Sequence, residues 1–313
     1  MKRPTFVPLL IATIAMISSA RAQQPAAPPP PPTVKENITV KLGDHTYAIP
    51  DGNVPLVPNV GIIVGTRGTL VIDPGLGRRN GEAVLREVAK VKRGPDLYIA
   101  TTHFHAEHTT GYDAFPPSAK YVNSRTQEAE FAEGGMQMVQ LFASRSATNA
   151  DFLKDAAPRK ADVLFDKDYT LDLGGVRVRF LLVGPTHTKG DTVFFVEGDD
   201  VLFAGDVVMN NSFLAAGATS SMKAWLAAFD TLEAMRPKTV VPSHGPIGDA
   251  TIIATCRRVM QAIDARARAL KMQGKSADET AMTVQAEMQM QHPDWPRANG
   301  IGPAARAAYN EAP

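Results

Sequence analysis

Short apolar runs alternate along most of the chain with segments whose apolar positions recur at helical spacing, and turn residues separate the two kinds. Residues 38–42 and 45–49 read as strands around a Gly-Asp turn. Residues 60–64 and 69–72 read as a hairpin around Gly65-Thr66-Arg67-Gly68. The last two runs are apolar throughout, as in strands buried on both faces. The second of them ends at Asp73-Pro74-Gly75, a helix is predicted over about 81–91, and the strand 97–100 breaks straight into Thr101-Thr102-His103. Residues 124–153 are helical in composition, with Met136, Met138, Val139, Leu141 and Phe142 as an apolar stripe. Core packing is the default for such a stripe; a lid or substrate wall is the alternative, because methionine surfaces adapt to varied ligands.

Strands return at 169–173, 176–183, 192–197 and 201–204, the last two joined through Gly198-Asp199-Asp200. Helices are expected at 221–235 and 252–272, with a short strand at 240–241 between them. Ser276 followed by Glu279 gives the capping-box signature of a final helix. Each half runs strands first and helices after, the order expected of two packed sheets with helices outside them.

The N-terminus stands apart from this pattern. Lys2 and Arg3 precede an apolar run from Phe6 to about Ser18, and Ala20-Arg21-Ala22 offers a small-x-small cleavage site. That order reads as a secretory signal peptide, with an apolar run too short for a comfortable membrane span; an uncleaved N-terminal anchor is the alternative. Residues 1–22 are assigned to the signal, 23–36 to a Pro/Ala-rich spacer, 37–272 to the main domain and 273–313 to a C-terminal helical extension. Export implies a periplasmic or secreted protein with no membrane span after cleavage.

Removing the signal takes Lys2, Arg3 and Arg21 from the 33 basic residues and leaves them outnumbered by the 32 acidic ones. With no basic run and 7% aromatic residues, nucleic acid is excluded as a partner in favour of a small-molecule substrate. Cys256 is the only cysteine, so no intramolecular disulfide can form. Its helical, apolar surroundings predict burial as a small hydrophobe.

Five of the seven histidines stand in settings suited to a metal. In Thr102-His103-Phe104-His105-Ala106-Glu107-His108, an extended backbone puts His103 and His105 on the same side, where both reach one ion. A helical turn after them lets Glu107 and His108 face a second position. His187, Asp206 and His244 each follow an apolar strand and have a glycine close by that permits a sharp turn. Singly each can be incidental; with the first cluster they complete a ligand set.

The series Thr-His-x-His-x-Glu-His followed by Gly111, then His-Thr-x-Gly-Asp at 187–191, Gly-Asp at 205–206 and Ser-His-Gly at 243–245 resembles the metallo-β-lactamase superfamily of metal-dependent hydrolases. The resemblance runs from about residue 38 to 244 and implies an α/β fold, the four-layer αββα sandwich, with a dinuclear site along one edge of its sheets. It implies that His103, His105 and His187 hold one metal, that Glu107, His108 and His244 hold the second, and that Asp206 bridges them. This is a glyoxalase-II-like set, with Glu107 in place of the usual Asp. Asp73 resembles the family's aspartate that steadies the histidine loop without binding metal.

The resulting expectation is a zinc-dependent hydrolase, two Zn2+ per chain, whose metal-bound hydroxide cleaves an ester, lactone, thioester or lactam, with Glu107 and Asp206 orienting the nucleophile or moving its proton. A mononuclear iron oxidoreductase on the same fold, or a non-catalytic metal-binding protein, are the alternatives. Asn210, Asn211 and Ser212 are read as turn residues, with substrate contact as the other reading.

Overall fold

The structure is a computed structural model that describes residues 30–313. The expected signal peptide and the first part of the spacer lie outside the described residues.

Seven strands form the first sheet in the order β1 (Val40–Lys41), β2 (Thr46–Ile49), β3 (Val60–Val64), β4 (Gly68–Ile72), β5 (Asp96–Ala100), β6 (Lys120–Ser124) and β7 (Val163–Phe165). Its first half is an antiparallel meander. The expected hairpin closes between β3 and β4, with Val64 opposite Thr69. From β4 onward the strands are parallel. Helix α1 (Gly77–Val91) makes the crossover from β4 to β5, and β6 and β7 are connected through α3 (Arg125–Glu130), α4 (Met136–Ser144) and α5 (Ala147–Leu153). The short helix α2 (Ala106–Thr109) precedes β6.

The second sheet has five strands in the order β12 (Thr239–Pro242), β11 (Val201–Gly205), β10 (Thr192–Val196), β9 (Arg177–Leu182) and β8 (Asp168–Asp172). Only β11 and β12 pair in parallel, with α6 (Met222–Ala234) as their crossover. Helices α7 (Thr251–Met272), α8 (Ala277–Gln291) and α9 (Ile301–Glu311) complete the chain.

Three buried apolar layers make this an αββα sandwich. Ile63, Leu70, Ile72, Phe180, Phe194 and Phe203 interdigitate between the two sheets. Val84, Val88, Ile62 and Val71 pack α1 on the outer face of the first sheet. Trp225, Phe229, Leu202, Ile253 and Ala305 pack the later helices on the outer face of the second. Strands β3, β4, β10 and β11 are buried at every position, which is why they read as unbroken apolar runs. The sheets are also tied at one end. The Asp199 carboxylate, in the β10–β11 turn, accepts from the backbone N–H groups of Asp44 and His45, each at 2.9 Å.

Three elements go beyond the sequence reading. β6 and β7 carry no clear strand pattern, one being polar at Asn123 and Ser124 and the other only three residues long. The segment at Ser276 has the full capping box but is not the last helix, because α9 follows. Its Gly302 and Pro303 argue against a helix interior, yet both fall in the first turn, where proline is tolerated.

Candidate metal centre

Every chemistry-bearing segment leaves the end of a strand on the same edge of the sandwich. The chain exits β5 into Thr101–His105, extends through His105 (φ −64°, ψ 151°) and turns helical at α2. This change of backbone sends His103 and His105 to one point and Glu107 and His108 to the next. His187 follows β9, Asp206 follows β11 and His244 follows β12. At Gly205 (φ +61°) and Gly245 (φ +89°) the backbone is left-handed, which favours glycine for the turns beside Asp206 and His244.

The structure brings all seven predicted residues together. Ligand atoms of His103, His105 and His187 lie within 4.8 Å of one another, as do those of Glu107, His108 and His244, and those of His103, His108 and Asp206. His105 Nδ1 is 3.2 Å from both His103 Nε2 and His187 Nε2. Asp206 reaches His187 Nε2 at 3.6 Å through one oxygen and His244 Nε2 at 4.0 Å through the other. It therefore stands between the two triads.

The far side of four of the five rings is fixed, which sets the near side. His187 Nδ1 faces the Ala215 carbonyl, His244 Nδ1 faces the Val57 carbonyl at 2.9 Å and His108 Nδ1 faces Asp73 Oδ2 at 3.0 Å. A ring nitrogen that donates there leaves Nε2 with a lone pair aimed inward. His103 Nδ1 is held in the same way by Thr102 Oγ1 at 3.1 Å, and that hydroxyl donates to Asp73 Oδ2 at 2.8 Å. Asp73 also accepts from the Thr102 backbone N–H at 2.7 Å. One buried carboxylate thus orients two of the imidazoles, as the sequence resemblance implied for it.

Burial holds the His103 and His105 imidazoles well below the ordinary histidine range, and the imidazoles around them add to the effect. Burial likewise pushes His244 down to about 3. These rings are neutral, as ligands must be. Burial opposes a charge on His108 as well, but the adjacent Asp73 carboxylate outweighs it and raises that ring to about 9, so a cation bound at its Nε2 would displace a proton there. Burial raises Glu107. For Asp206 burial is outweighed by the neighbouring His244 and His187 rings and the Arg297 guanidinium, and the carboxyl is held low.

Among the described residues, Glu107 Oε2, His108 Nε2 and Asp206 Oδ1 are buried and have no hydrogen-bond partner. Each such atom costs about 1–3 kcal/mol if nothing meets it. Three orphans, one nitrogen and two carboxylate oxygens, converge with the lone pairs of the other rings. This is a donor set for divalent cations, and the residues present fit that group.

Sequence reasoning missed the supports. Asp51 accepts from the Gly245 N–H at 2.8 Å, and Asn59 Nδ2 donates to the Pro242 and Gly245 carbonyls at 2.8 and 2.9 Å, so the first sheet grips the His244 loop. Glu130 of α3 accepts from the N–H groups of Lys189 and Gly190 at 2.9 and 2.7 Å. Asp191, inside the His187 motif but given no role, accepts from the backbone and hydroxyl of Thr188 at 2.9 and 2.6 Å. Arg297 donates to Asp206 Oδ2 at 3.3 Å from a segment with no motif. Only Asp191 carried a signal, its place in the motif.

The centre is reached from two sides. One cleft of about 450 Å³ lies beside His244 and is lined by Asn210, Asn211, Ser212 and Arg297, so the residues read as a turn also face the site. The other, of about 380 Å³, lies beside His105 and His187 and is lined by Phe104, Glu133, Met138 and Lys189. Val139 and Phe142 of α4 are buried in the core while Met138 lines this cleft. Residues 124–153 thus provide both core and site wall.

The description "Metallo-beta-lactamase superfamily" fits residues 53–244. Among curated proteins, a linear primary-alkylsulfatase from Pseudomonas sp. is 21% identical over 215 residues, covering 59% of this chain and 40% of the relative. The chain therefore spans about two fifths of that relative's length. Among solved structures, a metallo-β-lactamase from Pontibacter korlensis superposes with a TM-score of 0.57 at 23% identity, covering 71% of this chain and 98% of its own. The inverting sec-alkylsulfatase Pisa1 from Pseudomonas sp. superposes with a TM-score of 0.65 at 18% identity, covering 87% and 49%. At such identities the structural likenesses show the fold. With the family match spanning most of the chain, and with the ligand-bearing strand ends all inside it, the chain belongs to the metallo-β-lactamase superfamily, whose members are mostly metal-dependent hydrolases.

Proposed function

We propose that the chain is an exported hydrolase that works with two zinc ions on a small ester, thioester, lactone or lactam. The alkylsulfatase relatives add sulfate esters to these bonds. The observation that carries the reading is the meeting of three orphaned buried atoms, on Glu107, His108 and Asp206, with inward-facing imidazole nitrogens. His103, His105 and His187 would hold one ion, Glu107, His108 and His244 the other, and Asp206 would touch both. Bound there, zinc supplies Lewis acidity and lowers the pKa of water to about 7.

The chain's own groups do the rest. Asp206 is ionised and buried, so it accepts a hydrogen bond from the attacking water and fixes its orientation. Glu107 would hold its ion through one carboxylate oxygen, and the other can take up that water's proton and pass it to the leaving group. The Asp73–Thr102–His103 and Asp73–His108 contacts hold the imidazoles against reorganisation.

The test is metal analysis of purified protein, followed by hydrolysis assays across these bond classes with and without a chelator. About two zinc equivalents per chain are expected, with activity lost on chelation and restored by zinc. His105→Ala should lower activity by more than the roughly 100-fold typical of losing a residue behind a ligand. Full turnover in chelator, or in that variant, would overturn the proposal. For export, the protein recovered outside the cytoplasm should begin at Gln23.

A further inference from the structure

Arg297 belongs to no motif, lies outside the residues matched by the family, and still reaches the centre. Its guanidinium touches Asp206 Oδ2 through Nη1 only; among the described residues neither Nε nor Nη2 makes a hydrogen bond. The side chain is 33% exposed, and it is the only cationic side chain lining the cleft beside His244. The other polar groups of that wall are the His244 imidazole, neutral amides and a hydroxyl, apart from Asp51, whose two oxygens are taken by the N–H groups of Asn53 and Gly245.

The position of Arg297 is built. The Pro296 carbonyl accepts from the Phe213 N–H at 3.2 Å, and Trp295 packs between Phe213 and His292, stacked on the latter with centroids 4.1 Å apart. Arg297 itself has a left-handed backbone (φ +65°), a conformation that disfavours a branched or long side chain and persists only where its surroundings enforce it. A guanidinium wanted only to neutralise Asp206 has no need to keep two nitrogens without hydrogen bonds at the wall of a cleft. A planar fork with free N–H groups at the wall of a cleft is the geometry that binds carboxylate or a tetrahedral oxyanion.

We propose that Arg297 selects substrates carrying an anionic group, which it binds in the cleft beside His244 while the scissile bond lies over the metal centre. This rests on the hydrolase reading above for the reacting end but not for the binding of the anion. The experiment therefore has two arms. In the first, succinate is titrated into metal-loaded protein and followed by tryptophan fluorescence, which Trp295 reports from the neighbouring turn. Wild type should saturate, Arg297→Ala should bind roughly 10- to 100-fold more weakly, as for loss of charged hydrogen bonds, and Arg297→Lys should fall between.

In the second arm, 4-nitrophenyl acetate is compared with mono-4-nitrophenyl succinate. Whatever Arg297→Ala does through Asp206 should fall on both esters alike, so kcat should change by the same factor for each, while KM should rise by a similar factor, roughly 10- to 100-fold, for the anionic ester alone. Equal succinate affinity in wild type and Arg297→Ala would overturn the proposal, as would an equal change in KM on both esters, which would mark Arg297 as a residue acting only through Asp206. A protein that binds succinate through Arg297 but turns over neither ester would refute the hydrolase reading alone.

Discussion

Asp73 shows how one side chain can govern a site it does not enter. It has a left-handed backbone (φ +56°) at the end of β4, and its two oxygens serve Thr102 and His108 together. Asp73→Asn keeps the size but turns one acceptor into a donor facing other donors. We expect metal affinity to fall roughly 10- to 100-fold, measured by competition with a graded chelator. Glu107 differs: its Oε1 is 3.9 Å from His108 Nε2 and its Oε2 is unpartnered, so its charge acts within the centre. Glu107→Gln should lower zinc content towards one equivalent while the triad of His103, His105 and His187 keeps its ion. Cys256, by contrast, is chemically quiet. Burial pushes its thiol up to about 11, and it contacts the Met209 carbonyl at 3.2 Å. Since the thiolate is the reactive form, modification by a disulfide reagent at pH 8 should be slow in the native protein, accelerate as pH rises towards 11 and reach one equivalent at once in denaturant.

At the scale of elements, the legible parts are those whose local pattern agrees with their tertiary role. The runs at 60–64 and 201–204 are apolar because both faces are covered, and the structure returns them almost to the residue. Helix α6 begins where Ser221 accepts from the Ala224 N–H at 3.0 Å, and it buries Trp225, Phe229 and Leu232 against the second sheet. Ser221→Ala should cost about 1 kcal/mol in unfolding experiments and leave the zinc content unchanged, since the backbone N–H that Ser221 donates to the Pro185 carbonyl of the His187 loop at 3.2 Å is kept. Strands β6 and β7 were illegible for the opposite reason. They exist because parallel neighbours pair with them, and propensity carries little weight in such positions. The stripe on α4 divides between core and cleft because Val139 and Met138 point to different sides of one helix, which a composition cannot apportion.

At the scale of the molecule, the proposed centre joins the two sheets. The first sheet contributes the segment after β5; the second contributes the segments after β9, β11 and β12. Cations held there would bind the folded chain and not the unfolded one. Chelation should therefore lower the Tm, by an amount corresponding to about 4 kcal/mol when free zinc stands at a thousand times its Kd. His105→Ala should show a smaller shift, and calorimetry of both proteins with and without chelator checks this.

The amino-acid sequence alone determined the layered α/β plan and the identity of all seven candidate ligands, because burial on both faces, strand ends and dense histidine spacing are written locally. Only the tertiary structure decided how those groups face one another, that Asp51, Asn59 and Glu130 hold their loops, and that Arg297 closes on Asp206 from 91 residues away. These are contacts between distant stretches of chain, made by side chains whose neighbours in sequence have no periodicity or motif to reveal them. Their meeting is fixed by sheet pairing and by packing between the sheets.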